Sequence, residues 1–272
     1  MNWGIMILLC CTALPAHGAF EGVEGGSRST AMGGASTAAI ANSLAISTNP
    51  SLAASVVHCG VSMDYIPGVF EMEELSRGSF TFIVPMTAGT FAFTGSRFGF
   101  DLYREVSLTL TCARRISPEL MVGVNVHWYS LVIQNYGSAT TIGADIGLVA
   151  TLSENLHWGF SARNVNAPAI GVEAERLPQV YSTGVAYQPS KECTIAADLV
   201  KDVQHPAGLS IGAEYEILGL LSLRGGSSSD PPMYSAGFGV RYSGVCLDYA
   251  LSNHPDLGMT HQISISFLFG EL

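Results

Sequence analysis

The stretch YREVSLTLTCARRI, residues 103–116, alternates apolar and small side chains with a period of two. One face carries Val106, Leu108, Leu110 and Cys112, and the other carries Ser107, Thr109, Thr111 and Ala113. Successive side chains of a β-strand point to opposite faces, so this pattern predicts a strand with an apolar face and a polar face. The same alternation recurs in residues 120–132 and 141–152.

Composition restricts how such strands can assemble. The chain has 272 residues, a mean hydropathy of +0.32 and only 12% charged residues, about half of the roughly 25% usual in soluble domains. Outside the N-terminus no apolar run reaches the roughly 18–20 residues of a spanning helix. A closed β-barrel is the other structure that satisfies its backbone within lipid. A soluble β-sandwich or double barrel fits the composition equally well.

The residue types on the polar face favour the membrane barrel. They are mostly Gly, Ser, Thr and Asn with scattered Asp and Glu, as expected for a narrow, wet lumen, and the opposite face suits a lipid-facing band. We therefore predict an all-β chain, an antiparallel transmembrane β-barrel of about 14 strands with a short, partly helical N-terminal plug segment. The predicted strands are 56–65, 79–85, 89–98, 104–116, 119–132, 139–152, 155–164, 179–188, 192–202, 207–217, 219–226, 233–242, 244–252 and 260–269. The predicted outer loops are 67–77, 165–177 and 227–232.

The first nineteen residues, MNWGIMILLCCTALPAHGA, combine an apolar core with small residues near a cleavage site, which is typical of a secretory signal peptide. The predicted organisation is a signal peptide over 1–19, a plug over 20–55 and a barrel over 56–272. Bulky residues before Cys10 argue against a lipoprotein site there. The remaining cysteines have no metal-site spacing, and whether any pair forms a disulfide stays open. They are Cys59, Cys112, Cys193 and Cys246.

The segment 27–54 carries a single charge, Arg28, and is otherwise small and apolar. Its glycines and its Asn-Pro step interrupt any spanning helix, and its low charge is poorly suited to a surface linker. We predict an internal plug with a short helix from about Ser36 to Ala45 that Asn-Pro terminates. The candidate plug or ligand residues are Gly33, Gly34, Asn49 and Pro50.

Several motifs occur in a recognisable order along the chain. They are Ser27–Ala35, Asn49–Ala53, Trp158–Val165, Gly184–Pro189, Gly237–Tyr242, Leu247–Leu251 and Leu257–His261. Together they resemble the PorV/PorQ-type outer-membrane proteins, distant relatives of the FadL long-chain fatty-acid transporters. The resemblance covers nearly the whole chain after the signal peptide and implies a barrel in the bacterial outer membrane.

The resemblance implies two functions, and both stay open. A FadL-like protein would be a channel for small hydrophobic compounds, gated by the N-terminal segment. A PorV-like protein would be a scaffold that binds proteins of a secretion or surface-attachment system. The expected partners are outer-membrane lipid and either hydrophobic small molecules or secretion-system proteins.

Other classes of function lack a pattern in this sequence. The net charge of −10 and the absence of a basic cluster argue against nucleic acid. There is no nucleotide loop, HExxH or GxSxG motif, so we expect no enzyme, no cofactor and no metal. His127 and His157 lack a convincing serine partner and are interpreted as interfacial or lumenal side chains.

Charged residues at polar-face positions are candidates for the lumen lining. They are Asp145, Asp198, Glu214, Arg241 and Asp248. They could line a ligand path, or they could form a static ion-pair network that fills a narrow barrel. The sequence leaves both interpretations open.

Overall fold

The computed structural model describes residues 18–22, 25–40 and 46–270. Fourteen antiparallel strands form one closed barrel, as predicted, and two further strands form a small separate ribbon. The strands are β1 (Cys59–Ile66), β2 (Arg77–Met86), β3 (Gly89–Gly99), β4 (Tyr103–Ser117), β5 (Leu120–Ile133), β6 (Gly137–Ser153), β7 (Leu156–Arg163), β8 (Ala169–Ile170), β9 (Glu175–Arg176), β10 (Val180–Ser190), β11 (Cys193–Asp202), β12 (Ala207–Ile217), β13 (Leu221–Ser229), β14 (Pro232–Tyr242), β15 (Val245–His254) and β16 (Gly258–Phe269).

The barrel closes between its first and last strands. β1 pairs with β16 in a register that runs from Cys59 opposite Phe269 to Tyr65 opposite Ile263. Every other neighbour in the sheet follows in chain order, except that β7 pairs with β10 across the β8–β9 ribbon. Closure leaves no strand edge with unpaired backbone groups, which is what a sheet in lipid requires.

The two ends of the barrel differ in the length of their connections. At the turn end, where β1 begins and β16 finishes, the strands are joined by short turns. At the loop end lie the longest connections, residues 67–76 and 164–179, close to two of the predicted outer loops. The third predicted loop, 227–232, is wrong, because β13 and β14 extend until only Asp230 and Pro231 join them.

The two faces of the sheet have the distribution that the alternation predicts. Outward side chains such as Leu110 and Ile142 are exposed by 62% and 61%, whereas inward Ser107 and Thr109 are buried. The apolar residues therefore form the outer surface of the barrel, and the polar residues face its interior. None of the helices in the described ranges is long and apolar enough to cross a membrane.

The N-terminal segment fills the interior. Residues 25–40 and 46–55, here called the plug, are almost entirely enclosed by the barrel wall. Their helix α1 (Ser27–Ala31) packs against β13–β16, and their 3-10 helix (Pro50–Ser55) packs against β3–β6. A second 3-10 helix, Glu73–Leu75, lies in the first loop. The lumen is thus occupied by protein, as the predicted internal plug requires.

The helix predicted from Ser36 to Ala45 is wrong over its described part, since residues 36–40 are not helical and residues 41–45 lie outside the described residues. The amides of Ser36 and Thr37 donate to the Asp198 carboxylate. The Asn-Pro step begins a helix, whereas the sequence predicts that it ends one. Asn49 is extended, and its side chain accepts a hydrogen bond from the amide of Ser51.

Most of the predicted signal peptide, residues 1–17 with Cys10, lies outside the described residues. Of the remaining sequence, the segment 18–22 lies at the loop end, where the amide of Phe20 donates to Glu105 near the start of β4. No disulfide joins any two of the four barrel cysteines, which are free thiols: Cys59, Cys112, Cys193 and Cys246.

Candidate functional site: the plugged lumen

At one contact between plug and wall, the plug backbone at Met32 lies directly against glycines of the wall. Gly212 of β12 and Gly226 of β13 are directly paired and both face the plug. A Cβ atom at Gly212 would lie 2.3 Å from the carbonyl oxygen of Met32, and one at Gly226 would lie 2.3 Å from its carbonyl carbon. Real Cβ atoms do not approach that closely, so only glycine permits this seat. We call the pair the first glycine seat.

The plug residue next in line, Gly33, needs to be glycine for two reasons. Its φ of +66° lies in the left-handed region, and a Cβ there would sit 2.5 Å from the Ser227 amide nitrogen. Gly34 follows with φ of +85°. The two glycines form the turn that carries the chain from α1 across the wall.

A second seat of the same kind lies on the opposite side of the barrel. Gly123 of β5 and Gly147 of β6 are directly paired beneath the 3-10 helix. A Cβ at Gly123 would lie 2.5 Å from the Pro50 carbonyl carbon, and one at Gly147 would lie 2.0 Å from Asn49 Oδ1. We call this pair the second glycine seat. Gly159 of β7 makes a further approach of this kind, since a Cβ there would lie 2.4 Å from the Thr37 carbonyl oxygen. Wall and plug backbones are therefore in contact at several glycines.

Charge fixes the first half of the plug. Arg28 is the only charged residue of the described plug, and it is 5% exposed. Its Nε and Nη2 both donate to the Glu214 carboxylate at 2.9 Å, the bidentate geometry that suits a guanidinium. Glu214 also accepts from Arg224 Nε at 2.5 Å, and Arg224 Nη1 donates to Asp248. These four residues, here called the charge cluster, carry two positive and two negative charges.

A second carboxylate from the wall holds the chain after the glycine turn. Asp198 Oδ2 accepts hydrogen bonds from the amides of Ser36 and Thr37, each at 2.8 Å. The side chain is fully buried and lies over Gly184, its direct partner on β10. Two amides directed at Oδ2 offset part of the cost of burying the carboxylate, while Oδ1 is buried without a hydrogen-bond partner among the described residues. The wall thus holds this stretch of the plug through hydrogen bonds to plug backbone amides.

Asn49 connects the plug to itself and to the wall. Its Nδ2 donates to the carbonyl of Thr37 at 2.8 Å and to that of Leu148, on β6, at 3.2 Å. Its Oδ1 accepts from the amide of Ser51 at 3.1 Å and from its hydroxyl at 2.7 Å. The side chain is fully buried. It therefore satisfies several groups that have no access to water.

Replacement of this side chain tests its role. Asn49→Ala leaves buried carbonyls and the first amide of the 3-10 helix without partners, which costs about 1–3 kcal/mol. We expect refolded Asn49→Ala to unfold at lower urea concentration, with faster hydrogen exchange at Ser51 and Leu52. The matched control is Asn253→Ala, because Asn253 lies exposed on the outer face of β15. Equal unfolding midpoints for the two variants would contradict the role given to Asn49.

The polar pair His127–Asp145 is buried on the inner face of β5 and β6. His127 Nε2 is 2.6 Å from Asp145 Oδ2, and His127 Nδ1 is 2.7 Å from Thr109 Oγ1. The ring stacks on Tyr129 with centroids 5.2 Å apart. Both ring nitrogens are thus occupied, and the cavity beside them has a volume of about 30 Å³, enough for water but not for an aromatic compound. This arrangement is that of a packed polar interior.

Apolar side chains gather above the plug at the loop end. Phe20 packs on Tyr129 with ring centroids 4.7 Å apart, next to Leu131, Ile170 and Leu177. We call these residues the mouth cluster. Beside it lies a polar cavity of about 330 Å³ that is lined by Glu21, Glu175, Asp202 and His205 among others. Within the described ranges no group of residues could hold a metal ion.

The structure places the sequence candidates as follows. Gly33, Gly34, Asn49 and Pro50 all lie in the plug against the wall. Glu214 and Asp248 join the charge cluster, Asp198 holds the plug backbone, and Asp145 pairs with His127. Arg241 faces inward near the turn end, apart from that cluster. Asp145, Asp198, Glu214 and Asp248 thus form ion pairs or hydrogen bonds in the closed barrel. That they line a ligand path stays a prediction.

Sequence reasoning missed the residues that complete these contacts. From the sequence Arg28 is an isolated charge, and no pattern distinguishes Arg224. The wall glycines were also missed, although a signal existed. Gly123, Gly147, Gly212 and Gly226 interrupt strands at inward positions, and glycine inside a strand often marks the close approach of another backbone.

No protein-family model and no curated protein matches this chain. Among solved structures, the "CymD monoaromatic hydrocarbon channel" superposes with a TM-score of 0.67 at 14% identity, covering 92% of this chain and 99% of the other. The "P. putida toluene transporter TodX" gives 0.67 at 15% identity, covering 91% and 99%. A "Pseudomonas aeruginosa FadL homologue" gives 0.62 at 12% identity, covering 90% and 98%.

These similarities define the class of fold. The chain has the architecture of the FadL-type outer-membrane barrels, a closed barrel of fourteen antiparallel strands. At identities of 12–15% the likeness shows the fold alone. The narrower resemblance to the PorV/PorQ-type proteins stays a prediction.

Proposed function

We propose that this chain is an outer-membrane channel for small hydrophobic compounds and that the plug gates it. The observation that carries the proposal is the closed lumen, in which the plug occupies the interior and the cavity beside it holds about 30 Å³. No aromatic or fatty compound fits there, so passage requires the plug to move. Two neighbours in fold are described as a monoaromatic hydrocarbon channel and a toluene transporter.

The contacts of the plug suit a part that moves. Many of its buried side chains are small, with Ala35, Ala38 and Ala39 packed on Ala186 and Ala196 of the wall. The larger buried apolar side chains of the plug include Met32, Ile46 and Leu52. Because the hydrophobic contribution scales with buried apolar area, alanines provide little of it. The attachment combines apolar contacts at Ile46 and Leu52 with a limited set of polar contacts and with close backbone packing at glycine. Such a set can be released without dismantling the barrel.

The mouth cluster adds apolar side chains at the loop end to those between plug and wall. Phe20, Tyr129, Leu131 and Leu177 lie directly above the plug at the loop end. These side chains are buried or half-buried against one another, so a hydrophobic compound would contact them, ahead of the plug, once the cluster opens. Longer connections face the cell exterior in outer-membrane barrels, so we assign the loop end to the outside. Export by the signal peptide, residues 1–19, completes this proposed location.

Deletion of residues 20–54 tests the proposal. The deleted protein, refolded into liposomes, should admit a labelled monoaromatic compound and small polar solutes faster than the full chain, because the lumen would be open. Heat-modifiable gel migration must show first that the barrel has inserted. Equal uptake by both proteins would contradict the gate. Recovery of secretion-machinery proteins in a pull-down, with no uptake by either protein, would favour the scaffold alternative.

A further inference from the structure

Charged side chains on the barrel strands are segregated by sign. The acidic residues of the barrel strands all take inward positions: Asp64, Glu105, Asp145, Asp198, Asp202, Glu214, Glu216 and Asp248. The charged residues at outward positions are all basic: Arg97, Arg104, Arg114 and Lys201. The chain as a whole has a net charge of −10, with 22 acidic and 12 basic residues. The lipid-facing surface is therefore positive although the protein is negative.

Two of these basic residues form a pair at the loop end. Arg97 pairs with Val106 across β3 and β4, and Arg104 pairs with Gly99, so the arginines are diagonal neighbours on one face. Such neighbours have Cα atoms about 7–8 Å apart. Both side chains are exposed. Among the described residues neither has an ion-pair or hydrogen-bond partner, and this includes Asp101 in the hairpin between the two strands.

From this geometry we propose that Arg97 and Arg104 bind a phosphate group of a phosphorylated lipid in the outer leaflet. The proposal rests on the outer-membrane location given above. Two unpaired guanidinium groups side by side repel each other, and one phosphate can accept hydrogen bonds from both. The pair lies where headgroups would lie, at the loop-end margin of the apolar surface. An anion there removes the repulsion.

The surface next to the pair fits the rest of a lipid. Along β3 the outward positions below Arg97 are Gly95 and Phe93, and along β4 those below Arg104 are Val106 and Leu108. Phe93 and Leu108 are exposed by 40% and 38%. An acyl chain can lie on these side chains while its phosphate contacts the arginines. This continuity from charge to apolar surface favours a lipid over a free anion as the occupant.

Native mass spectrometry of the refolded full chain with lipid A tests the proposal. We expect retention of bisphosphorylated lipid A by the wild type and about 25-fold weaker retention by Arg97→Gln/Arg104→Gln, since each basic residue near anionic lipid contributes about fivefold. The matched control is Arg114→Gln, which removes an outward arginine from the turn end of β4 and should retain lipid A like the wild type. Lipid A stripped of its phosphates should bind weakly to all three proteins.

The outcomes separate the alternatives. Equal retention by the double variant and the wild type would overturn the proposal, as would equal binding of the dephosphorylated lipid. Displacement of lipid A by inorganic phosphate alone would identify a simple anion site and overturn the assignment to a lipid. The readout is independent of transport, so a chain that retains lipid A and fails to transport would contradict the channel only. A chain that fails to insert is recognised by its gel migration.

Discussion

We expect Gly226→Val to displace the plug and so to open the lumen of the barrel. The new side chain would start 2.3 Å from the Met32 carbonyl carbon and 2.5 Å from the Gly33 amide nitrogen, so Met32–Gly33 must leave the first glycine seat. Overpacking of this kind costs about 1–3 kcal/mol. A shift of that size raises the ratio of open to closed plug by about 5- to 150-fold. Liposome uptake of a labelled monoaromatic compound measures it directly.

The adjacent glycine provides the control. Gly225 is on the same strand but faces outward, and a Cβ there would have Ser235 O as its nearest neighbour at 3.9 Å. Gly225→Val therefore changes the same residue type in the same strand without touching the plug. Uptake should rise for Gly226→Val and stay at the wild-type rate for Gly225→Val. If both variants behave like the wild type, the first glycine seat does not hold the plug closed.

We expect Arg28→Met to release the first half of the plug. Without Arg28 the charge cluster retains Glu214 and Asp248 against Arg224 alone, which leaves one buried negative charge uncompensated. Removing one partner of a buried, hydrogen-bonded pair costs about 2–5 kcal/mol. Because Glu214 keeps Arg224, we expect about 2 kcal/mol, the lower end of that range. Hydrogen exchange of the amides in residues 25–40 should accelerate about 30-fold.

A second substitution separates charge from packing. Arg28→Met/Glu214→Gln removes both charges, so much of the loss should be recovered and the double-mutant cycle should show coupling. Arg241→Gln is the control for loss of an inward arginine, since Arg241 stands outside the charge cluster. Exchange in Arg28→Met at the wild-type rate would mean that the pair with Glu214 contributes nothing to seating the plug.

The strands could be predicted from the sequence because a closed barrel imposes a simple rule on them. Side chains of β4, β5 and β6 alternate over most of their length, since one face points outward and the other meets the interior. The turns between them are short at the turn end, so each change of pattern marks a strand boundary. The loop after β13 was misplaced because Ser227–Ser229 resemble a loop in composition while pairing with β14.

The location of the plug inside the barrel could be predicted from the sequence, but its backbone conformation could not. Its low charge and small residues indicate a segment enclosed by protein, yet its local conformation depends on the wall. The amides of Ser36 and Thr37 donate hydrogen bonds to Asp198, a residue more than 160 positions away, and the segment does not form a helix. Arg28 likewise forms its ion pair with a distant residue, Glu214, at a separation of 186 residues. Local propensity carries no information about such partners.

The central claim is that passage requires the plug to move, and a reversible cross-link tests it most directly. Ser27 of α1 and Ser264 of β16 have hydroxyl oxygens 2.6 Å apart inside the barrel. Ser27→Cys/Ser264→Cys, made with the four free barrel cysteines replaced by serine, should form a disulfide that ties the plug to the wall. We expect the oxidised protein to block liposome uptake of a labelled monoaromatic compound and reduction to restore it. Uptake by the oxidised protein at the rate of the reduced one would contradict the gate.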